Sequence, residues 1–311
     1  MLLPGFDLNG EVGEYTSPCN PYQNAQPILA AATKCSDRRL LTGGHVLTIA
    51  AGAVAIHRRG FDRGLHEHVP WCVTYCADMS PLVPLALTVS PGAATRVAAL
   101  LLAPPAPRAA FVFAHGAGAG MTHPFMGAVA EHLAERGIAT LRFQFPYIER
   151  GFRRPDAPAV AQAAVRAAVA EAAHRLPGVP LLAGGKSFGG RMTSQAQAGA
   201  ALPGVKGLVF LGFPLHPAGR PSIDRAQHLA NVRIPMLFLQ GTRDALAEPD
   251  LIARVAESLE HRATLVAIPD ADHSFHVPAR TGRTDAQILA DMCDSIAAWT
   301  TTLCSSNNTD P

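Results

Sequence analysis

The rhythm of apolar and polar positions changes near Leu85. Residues 1–78 hold no sustained period of 2 or 3.6: Val46 to Ile56 is apolar but short and diluted by Ala and Gly, and Gly or Pro interrupts the rest. From Leu85 onward, apolar runs alternate with amphipathic stretches. Leu85 to Val89 and Arg96 to Leu102 read as a hairpin around Pro91-Gly92, and Ala109 to Ala114 as a uniformly apolar, buried strand. A helix from Pro124 to Arg136 carries Phe125, Val129 and Leu133 on one face. Strand Ala139 to Phe145 and helix Ala157 to Leu176 follow, the helix with a stripe of Val165, Val169, Ala172 and Leu176. Next come strand Pro180 to Ala183, a helix from Gly189, and strands Gly207 to Leu211 and Pro235 to Gln240. Helix Asp250 to Leu259, strand Thr264 to Ile268 and helix Asp285 to Leu303 complete the series. Thr284 and Gln287 offer the last helix a capping box, and Ile288, Met292, Ile296 and Trp299 give it a buried stripe. This order predicts the α/β class, a mostly parallel sheet with helices on both faces and its site at the carboxyl ends of the strands.

Composition narrows the function classes. A formal net charge of +2 over 311 residues argues against a nucleic-acid binder that lives on counterion release. No run of about 18 apolar residues suggests a membrane span, and the first residues lack the basic and apolar regions of a signal peptide, so a cytoplasmic chain is expected. Four of the six cysteines (Cys19, Cys35, Cys72, Cys76) precede Met79, which sets that region apart from the rest. His66, His68, Cys72 and Cys76 resemble a zinc set only superficially, since their spacing is not the usual pairing of C-x₂₋₄-C with H-x₃₋₅-H. No metal or organic cofactor is expected.

The chemistry concentrates at Gly185-Lys186-Ser187-Phe188-Gly189, a G-x-S-x-G where a strand runs into a helix. That is the context of a nucleophile elbow, in which glycines permit a turn too close for a Cβ and the serine Oγ stands exposed. Gly185-Lys186-Ser187 also resembles the end of a P-loop, but the glycine required five residues earlier is Pro180. A serine needs a base, and the base a carboxylate to orient it, in the chain order serine, acid, histidine. Asp244 follows strand Pro235 to Gln240, and His273 follows strand Thr264 to Ile268; Glu248 or Asp250 for the acid and His276 for the base are alternatives. The Phe188 amide and the Ala117 amide, in the loop His115-Gly116-Ala117-Gly118-Ala119-Gly120, are the expected oxyanion donors. Lys186 beside the serine reads as packed or solvated rather than as a substrate contact, and His216 and Arg243 are ambiguous rim residues.

His115-Gly116-Ala117-Gly118-Ala119, the elbow, Leu211-Gly212-Phe213-Pro214-Leu215-His216-Pro217, Gln240-Gly241-Thr242-Arg243-Asp244 and Asp272-His273-Ser274-Phe275 together resemble a capless α/β-hydrolase family related to dienelactone hydrolase. That family also includes the hydrolase-like domain of a subunit of the NSL histone-acetyltransferase complex and many bacterial relatives. The resemblance covers Leu85 to Leu303 and implies Ser187, Asp244 and His273 as nucleophile, acid and base. Dienelactone hydrolase itself carries a cysteine nucleophile, so the serine here points away from a lactone. The resulting expectation is an N-terminal extension over 1–78, poorly ordered or mis-annotated with Met79 as the true start, an α/β-hydrolase domain over 79–304 and a disordered tail over 305–311. Its substrate is expected to be a small-molecule ester or thioester cleaved through an acyl-enzyme, because few residues separate Leu211 from Pro235 and none can form a large lid. A catalytically silent interaction module and a peptidase on the same triad are the alternatives; the oligomeric state is left open.

Overall fold

The computed structural model describes residues 40–42, 45–50, 53–58, 81–89 and 95–306. The chain divides into two units, Met1–Ala77 and Asp78–Pro311. In the first, β1 (Leu40–Thr42), β2 (His45–Ala50) and β3 (Ala53–Arg58) form an antiparallel meander in which Leu41 pairs with Val46 and Thr48 with Ala55. The sequence shows no sustained alternation there that predicts a strand. The β-branched residues Val46, Thr48, Ile49, Val54 and Ile56 favour extended backbone even without a clean alternation. The cluster His66, His68, Cys72 and Cys76 lies outside the described residues, as does the tail from 307.

The second unit is built on an eight-stranded sheet of order β11-β10-β9-β8-β6-β7-β5-β4. Its strands are β4 (Leu82–Thr88), β5 (Arg96–Leu102), β6 (Ala109–Ala114), β7 (Ile138–Phe143), β8 (Leu181–Lys186), β9 (Val205–Leu211), β10 (Met236–Gly241) and β11 (Ala263–Ile268). The expected hairpin is present as β4 against β5, and β5 runs antiparallel to β7; all other pairings are parallel. From β6 the chain turns to β7 on one side, then crosses to β8 on the other. The sheet therefore reverses its winding between β6 and β8, where a doubly wound sheet opens a crevice at its carboxyl edge.

Both faces of the sheet are covered. In β6, Ala110, Val112 and Ala114 join one apolar cluster with α3 (Pro158–Arg175) and α4 (Phe188–Gly199), while Ala109, Phe111 and Phe113 join another with α1 (Pro124–Glu135) and α6 (Asp285–Ser306). The period of two thus feeds two cores at once, which is why this strand reads as continuously apolar. Phe111 and Phe113 are wholly buried, each stabilising the fold by roughly 1.5–3 kcal/mol. The capping box of α6 is formed: Thr284 N–H donates to Gln287 Oε1 at 2.9 Å, and Gln287 N–H to Thr284 Oγ1 at 3.2 Å. Ile288, Met292 and Ile296 are buried as predicted, and Trp299 packs beside them.

Several element ends differ from those the sequence predicts. β7 stops at Phe143, and Phe145 instead precedes a short helix α2 (Pro146–Glu149) begun by Pro146. β8 runs past Ala183 through Gly184, Gly185 and Lys186 because β6 and β9 pair with it there, and only glycine fits: a Cβ on Gly184 would lie 1.9 Å from the Val209 carbonyl oxygen and one on Gly185 2.2 Å from that of Ala114. Between β9 and β10 lies a 3₁₀ segment, Asp224–Asn231, which the sequence reading missed. The remaining helix, α5 (Pro249–Ser258), buries Ile252 and Val255. Among the described residues, no helix is long and apolar enough to cross a membrane.

Candidate active site

At the end of β8 the backbone turns so sharply that Ser187 sits at φ 51°, ψ −113°, a left-handed conformation that costs a non-glycine residue on the order of 1–3 kcal/mol. The turn is held by Ser187 N–H donating to the Leu211 carbonyl at 3.1 Å. A Cβ on Gly189 would lie 2.5 Å from the Ala114 oxygen and 2.6 Å from that of His115, so helix α4 can start this close to β6 only with glycine there. The helix consequently directs its free amides and the positive end of its dipole at Ser187.

Three loops at the carboxyl edge converge on this serine. His273 Nε2 lies 2.8 Å from Ser187 Oγ, and His273 Nδ1 lies 2.6 Å from Asp244 Oδ2. Asp244, whose side chain is 1% exposed, also accepts from Gln240 Nε2 at 2.6 Å and from Leu246 N–H at 2.8 Å, so three donors compensate its loss of water. Gln240 is itself held by Phe213 N–H donating to its Oε1 at 2.8 Å. The acid and histidine loops pack back to back: Arg243 N–H donates to the Ala271 carbonyl at 2.9 Å and Asp270 N–H to Thr242 Oγ1 at 2.8 Å.

The loop after β6 supplies the fourth wall. A Cβ on Gly116 would stand 3.9 Å from the Ser187 Cβ, which places this loop against Ser187. Buried His115 anchors it, Nδ1–H donating to the Gly116 carbonyl at 2.8 Å and Nε2 accepting from Phe145 N–H at 3.1 Å. Burial pushes this imidazole down to about 4, so it is neutral at physiological pH. Tyr147 hydroxyl donates to the Ala117 carbonyl at 2.7 Å, fixing that peptide, and burial pushes its pKa up to about 12. Neither the Ala117 nor the Phe188 amide donates to a protein acceptor among the described residues, which leaves both free for an oxyanion.

The alternatives named from sequence are engaged elsewhere. Glu248 pairs with buried His216, Asp250 is exposed in the first turn of α5, and His276 pairs with Asp285 at 2.9 Å. Arg243 is exposed. Lys186 is packed: its ammonium donates to the His273 carbonyl and lies 4.9 Å from the Phe275 ring centre. A second serine and histidine, Ser194 Oγ and His228 Nε2, stand 2.7 Å apart, but among the described residues no carboxylate contacts His228, and Ser194 also donates to the Arg191 carbonyl at 3.0 Å. Burial, and secondarily Arg191, pushes His228 down to about 4, as suits a pair that joins α4 to the 3₁₀ segment. Sequence reasoning did not single out Gln240 or Tyr147. A glutamine ending a buried strand, four residues before the acid, is the signal available for Gln240; nothing local marks Tyr147. Among the described residues, no group of acidic, His or Cys side chains is placed to hold a metal.

Comparison with known proteins agrees with this architecture. Solved structures with the same fold include a dienelactone hydrolase from Anabaena variabilis (TM-score 0.58, 21% identity, 72% of this chain and 98% of that one). An α/β serine hydrolase without lid from Xanthomonas campestris (TM-score 0.55, 24% identity, 70% and 94%) and an esterase domain from Rhodothermus marinus (TM-score 0.54, 18% identity, 70% and 97%) share it as well. A family model described as alpha/beta hydrolase domain matches residues 107–301. With β6, the elbow, the acid loop and the histidine loop all inside that match, the chain belongs to the alpha/beta hydrolase domain family.

Proposed function

We propose that this protein is a serine hydrolase that cleaves a small or extended acyl ester or thioester through an acyl-enzyme. The observation that carries the reading is the unbroken relay from Ser187 Oγ through His273 to Asp244, at 2.8 and 2.6 Å. Ser187 attacks the acyl carbonyl as His273 Nε2 takes its proton, and Asp244 holds the Nδ1 proton and balances the imidazolium. The Phe188 and Ala117 amides stabilise the oxyanion, and His273 returns its proton to the leaving group. Water activated by the same histidine then releases the acid. The choice of a small or exposed acyl group is supported by the connection from β9 to β10, in which Asp224–Asn231 is the one helical segment. The neighbour from Xanthomonas campestris is likewise named for lacking a lid.

The test is labelling with a fluorophosphonate, wild type beside Ser187→Ala. The expected result is an adduct in the wild type that Ser187→Ala abolishes. A folded wild-type chain without a Ser187-dependent adduct overturns the reading in favour of the silent interaction module. Turnover of short-chain p-nitrophenyl esters well above that of peptide amides is expected to follow, and the reverse order would make it a peptidase.

A further inference from the structure

We infer that Lys186 is a positioning residue for the catalytic base: its ammonium ties the peptide of His273 to the strand that carries Ser187, and so sets the spacing of nucleophile and base. The inference rests on the hydrolase reading above.

The loop from β11 to His276 does not adopt its shape at no cost. Asp270 and Phe275 stand at φ 58° and 67°, conformations that persist in non-glycine residues only where surrounding contacts hold them. Several holding contacts come from the loop itself or from the acid loop: Asp272 Oδ1 accepts from Ser274 N–H at 2.7 Å and His276 N–H at 3.0 Å, and Thr242 accepts from Asp270. None of these relates the histidine to β8. Lys186 does, through two contacts, one on His273 itself and one two residues later: the His273 carbonyl and the face of the Phe275 ring at 4.9 Å. It is also covalently joined to Ser187, so any shift of the histidine loop is resisted at the elbow.

The space for the amine is built in. Gly212, at φ 68°, follows β9 beside the elbow, and a Cβ there would stand 2.9 Å from Lys186 Nζ and 3.5 Å from the His273 ring. A lysine serving only as apolar filler needs no such cradle, because its head would run on to water. Burial pushes the amine down to about 8, against the opposing pull of the Asp244 and Asp272 carboxylates. The groups facing it are those two carboxylates and the His273 imidazole; the loops after β6 and β9 present Gly116 and Gly212. Its charge is therefore lost within the range of an ordinary assay, and the grip on the carbonyl weakens as pH rises.

The test compares wild type, Lys186→Met and Lys186→Arg as full chains. Steady-state kinetics against pH on a short-chain p-nitrophenyl ester is read beside hydrogen exchange of the 269–277 backbone. Lys186→Met is expected to lower kcat about 10-fold with KM within about twofold, since sub-ångström misplacement of the base is felt in the transition state. It should also lose the alkaline decline near pH 8 and exchange about 10-fold faster across 269–277 alone. Lys186→Arg should recover most of kcat and move the decline to higher pH, because a guanidinium keeps its charge. Unchanged kcat and exchange in Lys186→Met overturns the inference, as does an equal loss in both variants with wild-type exchange. Failure of the wild type to react with the fluorophosphonate defeats the hydrolase reading instead, and the exchange measurement still decides whether Lys186 holds the loop.

Discussion

Tyr147 and Gln240 show how single side chains outside the proposed reacting set hold that set in place. Neither touches Ser187; one orients the Ala117 peptide and the other the Asp244 carboxylate. Removing the Tyr147 hydroxyl leaves a carbonyl without its donor, a loss of about 1 kcal/mol, and lets the Ala117 amide wander from the oxyanion. Tyr147→Phe is therefore expected to cut kcat by about 10-fold while KM barely moves and the melting temperature falls by about 2–4 °C; a kcat equal to wild type would remove Tyr147 from the oxyanion framework. Ser187, Asp244 and His273, the proposed nucleophile, acid and base, stood out in the sequence because each follows a strand in the order such machinery requires. Their supports did not, since a tyrosine in the turn after β7 gains its meaning only from lying against a loop 30 residues upstream.

At the scale of elements, the elbow is a packing problem solved by missing side chains. Gly189 lets α4 approach β6, whereas Gly199, at the other end of the same helix, has nothing within 4 Å of where a Cβ would stand. Gly189→Ala is expected to lose roughly 3 kcal/mol or more, or to yield no soluble protein, since the Cβ meets two backbone carbonyls that cannot yield separately. Gly199→Ala should be neutral or stabilising by up to about 1 kcal/mol. Urea midpoints of the two variants check both, and similar losses would show that the helix start is looser than its contacts imply. Strand and helix centres came directly from period and apolarity. The ends did not: β8 extends through three residues that lack strand propensity, because its neighbours β6 and β9 pair with it on both sides.

For the whole molecule, pH acts through histidines buried without charge. Burial holds His115 at about 4, below the unfolded 6.5, even though its Nδ1–H bond to the Gly116 carbonyl pulls the other way. Between those values the unfolded chain binds more protons. The contribution of His115 is therefore fully present above pH 6.5 and is lost as pH falls toward 4, on the order of 2 kcal/mol by pH 5. His228 acts in the same direction. Urea midpoints measured from pH 8 to 4.5 should decline below pH 6.5, and a flat profile would contradict the neutral, buried His115. We further propose that residues 79–304 form the catalytic unit, a boundary consistent with the division at Ala77 and Asp78.

Order along the chain determined the α/β class, most of the elements, and the choice of Ser187, Asp244 and His273 as candidates, because periodicity, turn residues and the sequence of post-strand loops are local properties. What only the tertiary structure decided is which neighbours complete them. The reversal of the sheet between β6 and β8 brings four loops from distant parts of the chain to one edge. There Glu248 and His276 find partners of their own, Gln240 and Tyr147 become supports, and Lys186 turns from the elbow toward the histidine's own peptide. Contacts across 30 to 87 residues depend on where strands are placed in the sheet, and no local pattern encodes that placement.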